Sequence, residues 1–401
     1  MGNMSTIKQD QKSILQTYNR FPAALVRGKG SWVWDADGRR YLDFLTGITV
    51  NTLGHSNGRV LAAMRAQLGK ITHVGNLFYN LLQAELAKGL LEGSFATRVA
   101  FANTGAEANE LCIKLARKWG APRGRFEIIS FENSFHGRTY GALTATAQKK
   151  MHVGLGPMLP GFRYARYNDL KSVEKLVNSK TAAILVEPIQ GEGGINVGTR
   201  EFLAGLRKLC DRKGLLLIVD EIQTGLARCG KMYDYQNFGS AFLPDVMSLG
   251  KALGGGLPLS AVLVGKKAEG LMGRGDHGTT MGGNPVAAAG GIALLKELKS
   301  KKLAQRAQAM GKELRSEFEG MKAEFPLIQE VRGRGLMLGA QLGIPAAEVS
   351  SRAFRRGLIV NATAGNVLRL HPPLTVSRGE IRAALKILRD VFSELQSTLG
   401  K

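Results

Sequence analysis

Cysteine is scarce in this chain, and the three present do not form a set. Cys112, Cys210 and Cys229 are odd in number and lack metal-like spacing. They read as free thiols in a reducing compartment, which excludes a disulfide framework. The six histidines form no HxxxH or similar cluster, so no metal site is expected. No apolar run approaches the ~20 residues of a membrane span, and the N-terminus lacks the apolar core of a secretory signal. The expected location is therefore cytoplasmic. Met1-Gly2-Asn3-Met4-Ser5-Thr6 fits the loose myristoylation pattern, a match that chance readily supplies. Acidic residues are few as well: 32 Asp and Glu against 55 Lys and Arg leave a formal charge of +23. That balance favours an anionic partner, nucleic acid or acidic small molecules. The basic residues are dispersed, however, and the densest group, Arg352, Arg355 and Arg356, has no interleaved aromatic platform. A generally basic surface is preferred to nucleic-acid binding.

Glycine is abundant, 51 of 401 residues, and the hydrophobic fraction is 44%. A chain of this length exceeds what one core serves and predicts a large and a small domain. Residues 1–30 are polar, with a helical flavour around Lys8–Tyr18. Two alternating runs joined by an Asp-Gly turn predict a hairpin over Gly30–Phe44. Thr46–Gly58 reads as a glycine-punctuated loop before a helix over Arg59–Leu68. From there strand and helix alternate: a helix at Ala84–Leu91, a strand at Arg98–Ala102, then a helix whose face is Ala108, Leu111, Cys112, Leu115, Ala116 and Trp119. Strands follow at Phe126–Phe131 and Thr181–Val186, a helix at Arg200–Lys213, and an apolar strand at Leu215–Val219, with another at Ala261–Val264. Continuous apolar strands between amphipathic helices predict a parallel sheet covered on both faces. After Asn284-Pro285 the pattern changes to long helices, short strands and a last helix over Arg378–Leu395, which predicts a C-terminal α+β domain.

In such a sheet, ligands gather at the carboxyl ends of the strands. Asn103-Thr104-Gly105-Ala106 turns strand into helix, where unpaired N–H groups and the helix dipole suit a phosphate, or simply an ordinary turn capped by Thr104. Asp220 ends the most apolar strand, an expensive place for a carboxylate without a cationic partner such as a pyridinium nitrogen; capping a surface turn is the plain alternative. Glu221 and Gln223 follow, and Gln223 suits a ring hydroxyl. Ser134-Phe135-His136-Gly137-Arg138 offers a stacking face and a guanidinium for a carboxylate, or only a core Phe and a solvated Arg. Lys251 comes after an apolar run and before Gly254-Gly255-Gly256. A lysine desolvated there is a nucleophile for Schiff-base chemistry; left solvated, it is a surface charge.

These stretches, with Gly47-Ile48-Thr49-Val50-Asn51, Glu187-Pro188-Ile189-Gln190-Gly191-Glu192, Gly282-Gly283-Asn284-Pro285 and Thr363–Arg369, resemble the class III (fold type I) pyridoxal-phosphate-dependent aminotransferases. Within that class they resemble the acetylornithine aminotransferases, from about Tyr18 to Leu395. The resemblance implies an α/β fold: a large domain with a mostly parallel seven-stranded sheet covered by helices, and a smaller α+β domain drawn from both termini. The implied division is 1–50, 51–290 and 291–401. It implies that Lys251 holds pyridoxal phosphate and shuttles the proton. Gly105, Ala106, Phe135, Asp220, Glu221, Ile222 and Gln223 would line the cofactor, with Thr280 reaching the phosphate of a neighbouring subunit in a homodimer. Arg138, Thr279, Arg369, Glu192 and Ile48 would meet the substrates, an ω-amino donor and 2-oxoglutarate. Ile48 stands where ornithine-specific relatives carry a tyrosine, which fits an acylated nitrogen. N2-acetylornithine is then the expected donor, with succinylornithine, succinyldiaminopimelate, ornithine or 4-aminobutyrate as alternatives. A catalytically dead nucleic-acid binder is the non-enzyme alternative. Met281, Cys229 and Gly250 depart from the usual pattern, and none of these removes a catalytic group.

Overall fold

The computed structural model describes residues 1–399. Its centre is a seven-stranded sheet with spatial order Arg98–Ala102, Ser260–Val264, Val246–Leu249, Leu216–Asp220, Thr181–Val186, Glu127–Phe131, Phe162–Ala165. Ser260–Val264 runs antiparallel to both neighbours, and the remaining pairs are parallel. The period-2 alternation of strand side chains divides the core. Leu216 and Ile218 pack on the helix Gly105–Gly120 through Ala108, Leu111 and Cys112. Leu217 and Val219 face the opposite layer, with Phe202, Leu206 and Leu209 of the helix Arg200–Lys213. Each such side chain contributes about 1.5–3 kcal/mol by leaving water, so strands buried on both faces need no polar alternation.

Two smaller sheets flank this layer. The hairpin strands Leu25–Lys29, Trp32–Asp35 and Arg40–Asp43 are joined in parallel by Leu358–Ile359, which ties the two ends of the chain together. Ile328–Arg334, Met337–Leu342, Val367–Leu370 and Asn361–Thr363 form an antiparallel sheet backed by the helices Leu303–Glu324 and Ala346–Arg355.

Several local features differ from the sequence-based expectation, three of them as follows. The first helix is Asn3–Ser13 rather than Lys8–Tyr18, because Asn3 is anchored on the hairpin: its Nδ2 donates to Asp35 and its Oδ1 accepts from Ala24 N. Phe162–Ala165 is an edge strand whose mixed burial gives no alternating signal. The expected loop at Thr46–Gly58 opens with a left-handed turn, where Thr46, Gly47, Ile48 and Thr49 all have φ between 52° and 70°. Such φ values cost a non-glycine residue roughly 1–2 kcal/mol. Asp43 offsets part of this by accepting the N–H groups of Leu45 and Thr46.

The glycines after Lys251 serve packing. The helix Pro285–Ser300 crosses the Lys251–Gly254 turn backbone to backbone: a Cβ on Gly291 would meet Leu253 O at 2.8 Å, and one on Gly255 would meet Val60 at 2.7 Å. Among the described residues no helix is long and apolar enough to cross a membrane, and no His, Cys, Asp and Glu group is placed to hold a metal ion.

Candidate active site

A cleft of about 540 Å³ opens where the parallel strands end. It gathers Gly105, Ala106, Phe135, Arg138, Glu192, Asp220, Ile222, Gln223 and Lys251 from segments far apart in the chain. Lys251 follows the strand Val246–Leu249 with φ +45°, a strained value that only a constrained site retains. Burial of its amine lowers the pKa to about 8, aided by the Arg369 charge and opposed by Glu192, Asp220 and Glu187. A neutral, nucleophilic fraction therefore exists near physiological pH.

Asp220 is buried at the end of its strand. Its Oδ2 accepts from Asn109 Nδ2 at 2.8 Å and lies 2.8 Å from His136 Nδ1, and its Oδ1 accepts from Ile222 N at 3.0 Å. Burial alone would depress the His136 pKa, but the hydrogen bond and charge of Asp220 outweigh it and raise the value. A carboxylate offers about four lone-pair positions, so Asp220 keeps capacity for one further donor from the cleft.

The phosphate side is a helix start. Thr104 caps Glu107 N, and the Glu107 carboxylate returns to the N–H groups of Asn103 and Thr104. That capping box leaves the N–H groups of Gly105 and Ala106, which have no intrahelical partner, to the cleft. Gly105 has no room for a side chain, since a Cβ would lie 2.8 Å from Ile222 Cδ1. Beside it the Arg138 guanidinium stands 5.6 Å from the Phe135 ring centroid and is exposed at the cleft.

Behind the cleft, the fully buried Arg369 donates through Nη1 to Glu192 Oε1 at 2.6 Å and through Nε to Asn361. Burial pushes the Glu192 carboxyl up, but Arg369 and then Lys251 more than reverse this. Glu192 also lies 3.5 Å from Gln223 Nε2, while Gln223 Oε1 is buried with no partner among the described residues.

Not every expected residue converges. Glu221 turns away: Asp220 faces the cleft, so its successor points to the other side and accepts from Asp234 N and Tyr235 N at 2.6 and 2.8 Å. It is not among the residues that line this cleft. Thr279 and Thr280 lie on a separate loop, where Asn103 Nδ2 donates to Thr279 Oγ1 and Thr280 is exposed. Ile48 sits in the left-handed turn, outside the residues lining this cleft.

The lining or supporting residues that the sequence did not single out include Asn109, His136, Glu187 and Tyr18. Glu187 ends the strand Thr181–Val186, and burial foremost raises its pKa to about 7; it accepts from Phe135 N and Gly191 N. A polar Asn109 beside an apolar helix face, and a His between Phe135 and Gly137, are the signals that could have found two of them.

The chain is similar to known proteins over nearly its whole length. The model of the family Aminotransferase class-III matches residues 14–392. An acetylornithine aminotransferase of Caldanaerobacter subterraneus subsp. tengcongensis is 45% identical over 394 residues, covering 97% of this chain and 100% of the relative. The solved ornithine aminotransferase of Toxoplasma gondii, described with partial occupancy of PLP at its active site, superposes with TM-score 0.94 at 34% identity, covering 100% of this chain and 96% of that one. The N-acetylornithine aminotransferase of Stenotrophomonas maltophilia K279a superposes at 0.83 with 36% identity, covering 98% and 100%.

Proposed function

The chain belongs to the class-III aminotransferases, and from that premise we propose that it moves the terminal amino group of N2-acetylornithine to 2-oxoglutarate. The products are N-acetylglutamate 5-semialdehyde and glutamate, a step of arginine biosynthesis. The observation that carries the reading is the convergence of a buried, partly neutral Lys251 with the Asp220 carboxylate and the open helix start at Gly105-Ala106.

Pyridoxal phosphate fits these residues. Asp220 retains acceptor capacity for a cationic ring nitrogen, the Gly105 and Ala106 N–H groups suit the phosphate, and Phe135 suits the ring face. Gln223, whose Oε1 has no partner among the described residues, suits the ring hydroxyl. When bound, the cofactor supplies an electron sink that makes the C–H beside the transferred nitrogen acidic. Lys251 Nζ is the group that takes this proton and returns it. His136 and Asn109 hold Asp220 in its orientation.

Arg138 takes the α-carboxylate of the donor. Arg369 is neutralised by Glu192 while the donor reacts, and it takes the second carboxylate of 2-oxoglutarate once Glu192 swings off it. Ile48 gives an acylated nitrogen an apolar neighbour, whereas an ammonium there would lack a partner.

A homodimer completes the site in this reading. Leu77, Phe78, Tyr79 and Leu81 are strongly exposed, more apolar surface than a monomer keeps without cause. Asn76 in the same segment donates to Thr279 O and Gly282 O. The apolar segment and the Thr279-Thr280 loop thus present one face, from which Thr280 reaches the neighbouring subunit's phosphate. Three free, buried thiols suit the reducing cytoplasm. The test is Lys251→Ala: it should abolish both the absorbance of the covalently held cofactor and amino transfer, and turnover surviving the change would overturn the assignment.

A further inference from the structure

Arg138 sits between two anchoring points on one helix. Before it, Gly137 has φ +142° and lies so close to Ala106 that a Cβ would fall 2.6 Å from the Ala106 Cβ. After it, Glu110 Oε1 accepts three donors: Thr139 Oγ1 at 2.5 Å, Gly141 N at 2.9 Å and Ala142 N at 3.0 Å. The short helix Tyr140–Ala145 has no side-chain cap of its own, so Glu110 caps it from outside. Ala106 and Glu110 are four residues apart on the helix Gly105–Gly120 and therefore share a face. Gly141 is required by the same contact, because a Cβ there would collide with the Glu110 carboxylate.

We propose that Glu110 is a positioning residue for substrate: it fixes the turn carrying Arg138 at a set place relative to the helix start that holds the cofactor phosphate. The inference rests on the assignment of Arg138 as the donor's carboxylate clamp. Among the described residues the Arg138 side chain has no hydrogen-bond partner and stands over Phe135, so its position depends on the backbone on either side. Three donors on one carboxylate oxygen make that backbone stiff. Losing them frees the clamp by the ångström scale at which binding geometry is decided.

The experiment uses the holoenzyme with Glu110→Ala, Glu110→Gln, Gly141→Ala and Arg138→Ala. For a donor bearing an α-carboxylate, Glu110→Ala and Gly141→Ala should raise KM by about tenfold with kcat little changed. Glu110→Gln, which keeps an acceptor oxygen, should restore most of the loss. For an ω-amine lacking the carboxylate, KM should stay at the wild-type value. The Kd for pyridoxal phosphate, titrated onto the apoprotein, should also be unchanged. If Arg138→Ala raises KM while Glu110→Ala and Gly141→Ala do not, the positioning role is overturned and the clamp stands. A wild-type KM in all the variants overturns both. Equal losses for the two donor types, or a matching loss of cofactor affinity, would make Glu110 merely structural and also overturn the proposal.

Discussion

Replacing Lys251 with methionine should stabilise the cofactor-free protein near neutral pH. A lysine lowered from 10.5 to about 8 by burial carries a penalty on its charged form. At ~1.36 kcal/mol per pH unit, that penalty is roughly 3 kcal/mol in the folded state. The sign follows from proton linkage. Below pH 8 the amine is charged in both folded and unfolded protein, and the full penalty weighs on the native state. Between 8 and 10.5 the unfolded chain binds more protons than the folded one, so wild-type stability rises with pH. Above 10.5 both forms are neutral and the penalty is gone. Methionine has a similar reach and no charge. The Lys251→Met apoprotein should therefore exceed wild type by about 3 kcal/mol at pH 7 and lose that advantage by about pH 10.5. Urea unfolding of both proteins at matched concentration across this range measures it, and the difference between them cancels the other titrating groups. A difference that is zero at pH 7, or constant with pH, would refute the buried-amine reasoning. Cofactor capture by wild-type apoprotein should likewise accelerate as pH rises through about 8, where the amine loses its proton.

Gly105→Ala should weaken cofactor binding more than it lowers stability. The new Cβ meets the Ile222 side-chain tip at 2.8 Å, and Ile222 lines the cleft, so it moves into ligand space. Adding Ile222→Val should recover about 1 kcal/mol of the loss in a titration with pyridoxal phosphate; simple additivity would contradict the contact. Arg334→Met should cost about 3–5 kcal/mol in a thermal melt, because it strands Asp234, which Arg334 contacts at 2.6 Å through both carboxylate oxygens, in a buried site. An unchanged melting temperature would show that the pair contributes nothing.

What the sequence made legible, and what it concealed, has a physical pattern. Thr181–Val186 and Arg200–Lys213 were read to the residue, because buried strands and amphipathic helices announce themselves through local periodicity. Lys251, Asp220, Gln223 and the Gly105 turn were legible because each places an atypical group at a strand end. Convergence across the fold was not. Nothing local says that Asn109 and His136 meet on Asp220, 111 and 84 residues away, or that Glu110 reaches Gly141. Glu221 lies outside the cleft because neighbours at a strand end face opposite sides. The left-handed turn around Ile48 was concealed for the complementary reason: β-branched residues disfavour that conformation, and it is held by the Asp43 carboxylate together with a bond from Thr46 Oγ1 to the distant His371 carbonyl.

The central claim is tested most directly by the specificity constant for amino transfer to 2-oxoglutarate, measured as glutamate formed. N2-acetylornithine, ornithine and 4-aminobutyrate serve as competing donors on one holoenzyme preparation. N2-acetylornithine should have the highest kcat/KM of the three. Much faster turnover of free ornithine or 4-aminobutyrate would contradict it.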